Sequence, residues 1–365
     1  SAASDVYKRQ STDRTWEVIK NYNIGLDFGF LDNRLTGTAE LFWKKCNNML
    51  IDVTYPGTLG DKAPTANRGS FKANGWEGTI NWSDKIGEIS YHLGGTFTYT
   101  TNKLVDNGGD AVIKSGVVSN REGYPLNSVF GLKYCGKIQT QDQLDKYINQ
   151  YANGNNNIAM PGNLRLGDNM YEDVNKDGKL TEADYVYLGT DDPKVSFSFN
   201  AGLSWKGFDV SVIFQGAGKR TVWRGGENNQ KGKNDNWRIP MMSWYNNSTN
   251  QSVGNVWSAE TPNAHYPTYT HQTQINLYNY ICSSWSVEDG AYLRLKNVTL
   301  GYTFPANVLS KTKFISYARI YVSGADLWEN SKIKDGWDPE ASRKVETFGR
   351  YPFTRNLTVG LNLTF

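Results

Sequence analysis

The sequence predicts an all-β fold: an antiparallel transmembrane β-barrel with long extracellular loops. Three observations carry this expectation. Stretches of strict period-two alternation recur along the chain, short and long connections exchange regularly between them, and no run approaches the ~18 consecutive apolar residues of a spanning helix. The chain has 365 residues, 38% of them hydrophobic, with 36 glycines and a formal charge of +3. Only every second residue of a barrel strand faces lipid, so so polar a composition is compatible with a membrane barrel. The near-balanced charge gives no nucleic-acid footprint.

The start, "SAASDVYKRQ", reads as one frame of a sequencing adapter, so residues 1–10 are set aside and 11–365 taken as the protein proper. From Trp16, "WEVIKNYNIGLDFGFLDNRLTGTAELFWKK" holds two alternating runs about a turn at Leu31, Asp32 and Asn33. Tyr22, Ile24, Leu26, Phe28 and Phe30 oppose Asn23, Gly25 and Asp27; then Leu35, Ala39, Leu41 and Trp43 oppose Thr36, Thr38 and Glu40. After a connection over 47–68, Trp76, Ile80 and Trp82 lead through a turn after Ser83 into Ile89, Tyr91, Leu93, Phe97 and Tyr99. A third hairpin runs Val195, Phe197, Phe199, Leu203, Trp205, turns at Lys206 and Gly207, and returns through Phe208, Val210, Val212 and Phe214. The last strands fall near 290–304, 316–326 and 355–365, the final one in the closing "RNLTVGLNLTF".

Short connections follow Phe30, Ser83, Trp205 and Phe304, and long ones run over 47–68, 101–193, 218–289 and 327–354. Long irregular loops are uncommon in compact soluble domains. Outer-membrane barrels have them on one side, with short periplasmic turns on the other. Counting back through the alternation gives nine strands, and "NSVFGLKYCG" (127–136) belongs inside the large outer excursion. Phe28, Phe30, Trp82, Trp205, Phe208, Phe304 and Phe365 gather at the short-turn ends, where aromatic rings meet the headgroup layer. The alternative is a soluble or surface-tethered all-β carbohydrate-binding protein, in which the same apolar faces pack between two sheets.

Several stretches resemble the C-terminal half of SusC/RagA-like TonB-dependent outer-membrane transporters of the Bacteroidetes. They are "WEVIKNYNIGLDFGFLDNRL", "NRGSFKANGWEGTINW", "YEDVNKDGKLTEADYVYLG", "VWSAETPNAHYP", "WSVEDGAYLRLKNVTLGYTFP", "ARIYVSGADLW" and "YPFTRNLTVGLNLTF", in the expected order across 16–365. The resemblance implies a 22-strand barrel with an N-terminal plug. It further implies energy from TonB-ExbB-ExbD, a SusD-like surface lipoprotein as lid, and a glycan or peptide as cargo. It implies that the chain is a fragment of about nine strands, without plug or TonB-contact segment. It also makes Phe365 an address for the assembly machinery as well as a girdle residue.

The sharpest local motif is "DVNKDGKLTEAD". Asp173, Asn175 and Asp177 have the one-three-five spacing of a calcium loop, Gly178 sits at the turn, Lys179 offers a backbone carbonyl, and Asp184 stands where a glutamate is usual. The competing reading is an Asp/Gly turn held by side-chain-to-backbone bonds. Trp223, Trp237, Trp244, Tyr245, Trp257, Tyr266 and Tyr269 crowd the loop from 218 to 289, where they can stack on sugars or pack the loop itself, the second reading being favoured. Neither the histidines (His92, His265, His271) nor the cysteines (Cys46, Cys135, Cys282) have catalytic, zinc-site or disulfide spacing. Glu40 and Glu77 fall on lumen faces, to meet the plug or water rather than to act as a glycosidase pair. The expected protein is therefore not an enzyme.

Overall fold

The computed structural model describes residues 14–51, 66–107, 118–151, 163–223, 254–270, 272–312, 314–333, 338–340 and 354–365. Nine long strands form one sheet in strictly sequential, antiparallel order. They are β1 (Val18–Phe30), β2 (Leu35–Ile51), β3 (Ala66–Ile86), β4 (Ile89–Asn107), β5 (Val195–Trp205), β6 (Phe208–Ala217), β7 (Tyr292–Thr303), β8 (Tyr317–Ser331) and β9 (Asn356–Thr364). The strand number and the hairpin pairs agree with the alternation read from the sequence. No helix among the described residues is long and apolar enough to cross a membrane.

Register makes the sheet two-faced, because residues directly opposite one another share a face. Ile24, Leu41, Trp76 and Tyr99 stand in one row across β1 to β4. Leu203, Val210, Leu300, Val322 and Val359 form another across β5 to β9. These side chains are bare rather than packed: Leu357 is 75% exposed and Val359 73%, which a sandwich core would not permit. The opposite face carries hydroxyl rungs, with Thr38 and Thr79 at 2.8 Å, Thr96 and Ser198 at 2.7 Å, and Thr299 and Ser323 at 2.9 Å. A sheet that is apolar and uncovered on one side and polar on the other suits a barrel between lipid and a lumen.

Some boundaries differ from expectation. β3 continues past Ser83 to Ile86, and the turn falls at Gly87, whose φ of 59° supplies the left-handed position of a tight hairpin. The first long connection shrinks at both ends, because β2 runs on to Ile51 through a register shift near Asn48 and β3 starts at Ala66. β8 likewise reaches Ser331.

The bend in β7 has a cause in the sequence. Leu293 and Leu295 are odd-numbered, Val298, Leu300 and Tyr302 even, yet all five pair with residues of the apolar face. A β-bulge at Lys296 inserts the one residue that switches parity. Asp326, with φ of 56°, lies in the opposing irregularity of β8, and its carboxylate is 3.3 Å from the Lys296 ammonium.

At the short-turn end the chain closes on an aromatic pair. Phe365 stacks on Phe314 with centroids 6.3 Å apart and planes 11° from parallel. The Ser316 amide donates to the Thr364 carbonyl at 2.8 Å, fixing the end of β9 to the turn before β8.

Val359 lies six residues above Phe365, about 15 Å along the membrane normal at a ~40° strand tilt, near the middle of an apolar band ~25 Å tall. Val359→Arg should therefore destabilise the folded barrel by about 2–4 kcal/mol, and Thr358→Arg on the lumen face far less. Urea unfolding in lipid vesicles, followed by the electrophoretic shift of the folded barrel, measures both; equal losses would contradict the assignment of faces.

Candidate functional site

The long outer connections build a body of their own. Residues Val118–Ser119, Ser128–Gly131 and Val186–Thr190 form a small sheet, and Tyr134–Lys137 pairs with Asn169–Tyr171. "NSVFGLKYCG" thus contributes two short strands inside the excursion, as its placement there anticipated. A helix the alternation did not reveal, α1 (Gln141–Tyr151), buries Leu144, Tyr147 and Tyr151. With Phe130, Leu132, Ile138, Leu164, Tyr171, Leu180, Tyr185 and Tyr278 these make one core shared by the second and third long excursions.

Polar bonds weld that core. The Tyr147 and Tyr278 hydroxyls meet at 2.6 Å, and the Tyr147 hydroxyl accepts the Tyr171 amide at 2.9 Å. Asn279 accepts the Asn169 amide through Oδ1 and donates to Asp168 from Nδ2, both at 2.8 Å, with all three side chains buried. Burial pushes the Asp168 carboxyl up from its ordinary range, against the lowering effect of Asn279 and the Arg165 amide. Buried hydrogen bonds of this kind tie the two excursions into one packing arrangement.

The loop from Asp173 to Asp184 is closed by its own carboxylates. Asp173 accepts from the amides of Asp177 at 3.2 Å and Gly178 at 2.8 Å, Asn175 Oδ1 from Asp177 at 3.0 Å, and Asp177 from Lys179 at 2.9 Å. Asp184, fully buried, accepts from Val174 at 2.9 Å and Asn175 at 3.3 Å, and through its other oxygen from Thr181 at 2.8 Å. Gly178 takes the left-handed turn with φ of 79°. The side chains thus make the hydrogen-bonded turn that the sequence offered as the competing reading. Among the described residues, no three His, Cys, Asp or Glu side chains are gathered to hold an ion.

Of the loop aromatics, Trp223 is buried against Val129 and Cys282 and serves the core. Tyr266 packs with Tyr280, Val256 and Trp285. The Trp257 indole N–H donates to Gln139 Oε1 at 2.8 Å, and Tyr269 is exposed. Trp237, Trp244, Tyr245 and His271 lie outside the described residues. On the lumen face, Glu40 and Glu77 stand directly opposite each other, and the His92 ring covers Gly202.

One cluster escaped sequence reasoning. Arg294 of β7 is fully buried on the lumen side. Its guanidinium donates to Glu329 from Nε at 2.8 Å and also from Nη2, meets Asp338 at 2.7 Å, and lies 3.2 Å from Glu340. The Lys296 ammonium lies 3.1 Å from Glu340. Arg220 binds Asp191 at 2.6 Å and donates to the Pro339 carbonyl at 2.9 Å. The segment Asp338, Pro339, Glu340 is thereby clamped to the barrel rim and to the other excursions. The available signal was an arginine on the polar parity of "YLRLKNVTLGY", whose partners come from 35 to 46 residues downstream.

A two-faced antiparallel sheet with short turns at one end and packed polar excursions at the other is the wall of an outer-membrane β-barrel. No family model matches the chain. TonB-dependent receptor P26 of Formosa agariphila is 27% identical over 372 residues, covering 96% of this chain and 35% of that protein. TonB-dependent receptor SusC of Bacteroides thetaiotaomicron is 24% identical over 368 residues, covering 96% and 32%. The RagAB peptide importer in its open-open state matches in fold with a TM-score of 0.72 and 20% identity, over 97% of this chain and 35% of that one. The chain is SusC/RagA-like along nearly its whole length and is a protein of the outer membrane. It spans about a third of the length of the curated relatives it matches. All of these carry receptor or transporter names rather than enzyme names.

Removing one partner from a buried ion network strands the others, at a cost of about 3–5 kcal/mol. Arg294→Met should therefore destabilise the barrel by that order, more than Arg34→Met at the partly exposed turn pair with Asp84. Urea midpoints of the two variants, read by the folded-band shift, test the ranking, and equal midpoints would contradict it.

Proposed function

We propose that the chain is the C-terminal wall, about nine strands, of a TonB-dependent importer that carries oligosaccharides or peptides across the outer membrane. The carrying observation is the two-faced sheet itself, whose hydroxyl-lined side suits passage of polar cargo or contact with a plug. The relatives' names support dependence on TonB, and the likeness to the RagAB peptide importer supports peptide as one cargo class. Oligosaccharide is the reading favoured here, on the stacking capacity of the exposed Tyr269 and the partly exposed Trp257 and Tyr266 in the outer body.

In this reading the outer body meets a SusD-like surface lipoprotein, and TonB-ExbB-ExbD acts through a plug outside these residues. The outward edges of β1 and β9 pair with further strands of the same receptor, since unpaired amides and carbonyls in hydrocarbon cost several kcal/mol each. Phe365 serves as an assembly signal, with Phe314 supporting its ring.

Growth on defined oligosaccharides or peptides tests this reading. A strain relying on the receptor, expressed from its complete reading frame, should lose growth when tonB is deleted, and uptake should fall at least tenfold. Unchanged uptake without TonB would point to a passive pore and overturn the proposal.

A calcium role for Asp173, Asn175, Asp177, the Lys179 carbonyl and Asp184 rests on their spacing; their side-chain oxygens accept loop amides, which an ion would have to replace or share. Calorimetry on the intact receptor should show calcium binding that Asp173→Ala with Asp177→Ala abolishes, together with faster protease nicking of the loop on chelation. Wild-type receptor giving no binding heat would leave the loop as a turn.

A further inference from the structure

The register lines up four lysines. Lys20 stands directly opposite Lys45, Lys45 opposite Lys72, and Lys72 opposite Lys103, one from each of β1 to β4. All four are exposed. Among the described residues, no carboxylate lies within ion-pair distance of any of them. Like charges placed directly opposite on neighbouring strands repel, so a row of four is unfavourable without an anionic counterpart.

Their face and height say what that counterpart is. Tyr22, Trp43, Asn74 and Thr101 occupy the next row down on the same side, followed by Ile24, Leu41, Trp76 and Tyr99. The lysines therefore crown the lipid-facing side, beyond an interfacial aromatic pair. Lys20 is ten residues from Phe30 at the short-turn end, which is about 34 Å along the strand and ~26 Å along the normal at a tilt of about 40°. An apolar band is about 25 Å tall, so Lys20 falls at the outer headgroup level. Because the row runs across strands tilted by about 40°, the other lysines are spread over roughly 9 Å of height, from the headgroup into the polar layer beyond it. The long excursions rise from this end, which makes it the cell-surface side. A cleft of about 280 Å³ opens beside Lys72 and Lys103, with Val105, Gly123 and the Glu122 carboxylate on its wall.

We propose that Lys20, Lys45, Lys72 and Lys103 form a binding site for the phosphorylated headgroup of an outer-leaflet glycolipid. Four ammonium groups at the ~4.8 Å strand spacing span about 14 Å, wide enough to engage more than one phosphate of a single headgroup. Acyl chains would then lie down the apolar face below, over Tyr22, Trp43 and Trp76. The site depends on the membrane placement of the sheet and not on import, so lipid binding can fail while TonB-dependent uptake stands, and the reverse.

The test uses the receptor expressed from its complete reading frame and purified in an uncharged detergent. It is titrated with bisphosphorylated lipid A, with the dephosphorylated lipid and with inorganic phosphate. The bisphosphorylated lipid should bind at least tenfold more tightly than the dephosphorylated form, weaken as salt rises, and meet no competition from millimolar phosphate. At about fivefold per lysine, the K45Q/K72Q/K103Q variant should lose about 100-fold in affinity. The corresponding arginine variant should stay within a few-fold of wild type, and Lys44→Gln, on the lumen face, should change nothing. Each variant's folded-band shift is checked first. Equal binding by the glutamine variant, equal binding of the dephosphorylated lipid, or full competition by phosphate would each overturn the proposal.

Discussion

Everything in this sheet follows from the need to satisfy backbone amides and carbonyls where no water is present. Within hydrocarbon an unpaired group costs several kcal/mol, so each strand must be laddered along its whole membrane length on both sides. Sequential antiparallel order, with tight turns at 31–34, 87–88 and 206–207 and a longer connection through Ala306–Leu309 between β7 and β8, meets that demand for seven of the nine strands without help from elsewhere. Once the ladder is fixed, side-chain alternation has only two destinations. Leu357 and Val359 can be bare because lipid is their solvent, and Thr38, Thr79, Thr96 and Ser198 can bond across strands because their face is not. Glycine helps the ladder close: the Phe28 ring lies across Gly37 and the Phe197 ring across Gly216, each where a Cβ would stand.

Outside the membrane the demand is different, and so is the architecture. The second and third excursions cannot rely on lipid to receive apolar residues, so they fold on each other around tyrosines whose hydroxyls bond inside the core. Arg220, Arg294 and Lys296 then draw the last excursion to the same rim through Asp338, Pro339 and Glu340. The charges that hold the excursions together sit on the lumen parity or above the apolar band, where their desolvation is least costly.

Much of the barrel was legible because period two is dictated by lipid on one side. The runs through Ile24, Phe97, Phe199 and Leu361 announce their faces without any knowledge of their partners. Strand ends were less legible: β2, β3 and β8 continue beyond the apolar band, where alternation no longer carries a hydrophobic signal. The parity break in "YLRLKNVTLGY" was present in the sequence, but its meaning depends on the bulge at Lys296, which requires the neighbouring strands. The calcium-like spacing from Asp173 to Asp184 was visible, but spacing alone does not distinguish ligands from acceptors of backbone amides. The Arg294 cluster was invisible because its carboxylates approach only after β8 and the loop that follows it are in place.

The same reasoning separates two kinds of positive charge in this chain. Arg294 and Lys296 are neutralised from within, by carboxylates that the fold brings to them, and they contribute to fixing one arrangement of the outer excursions. Lys20, Lys45, Lys72 and Lys103 are brought together by register, on the opposite face, with no carboxylate at ion-pair distance among the described residues. A fold that can place Glu329 and Asp326 beside two cations on one side could supply acids on the other by single substitutions at Tyr22 or Asn74. That the lipid side instead concentrates cations in one row, rising from the height where headgroup phosphates lie, means the neutralising charge comes from the membrane. The lipid is then a partner of the barrel wall and not only its solvent.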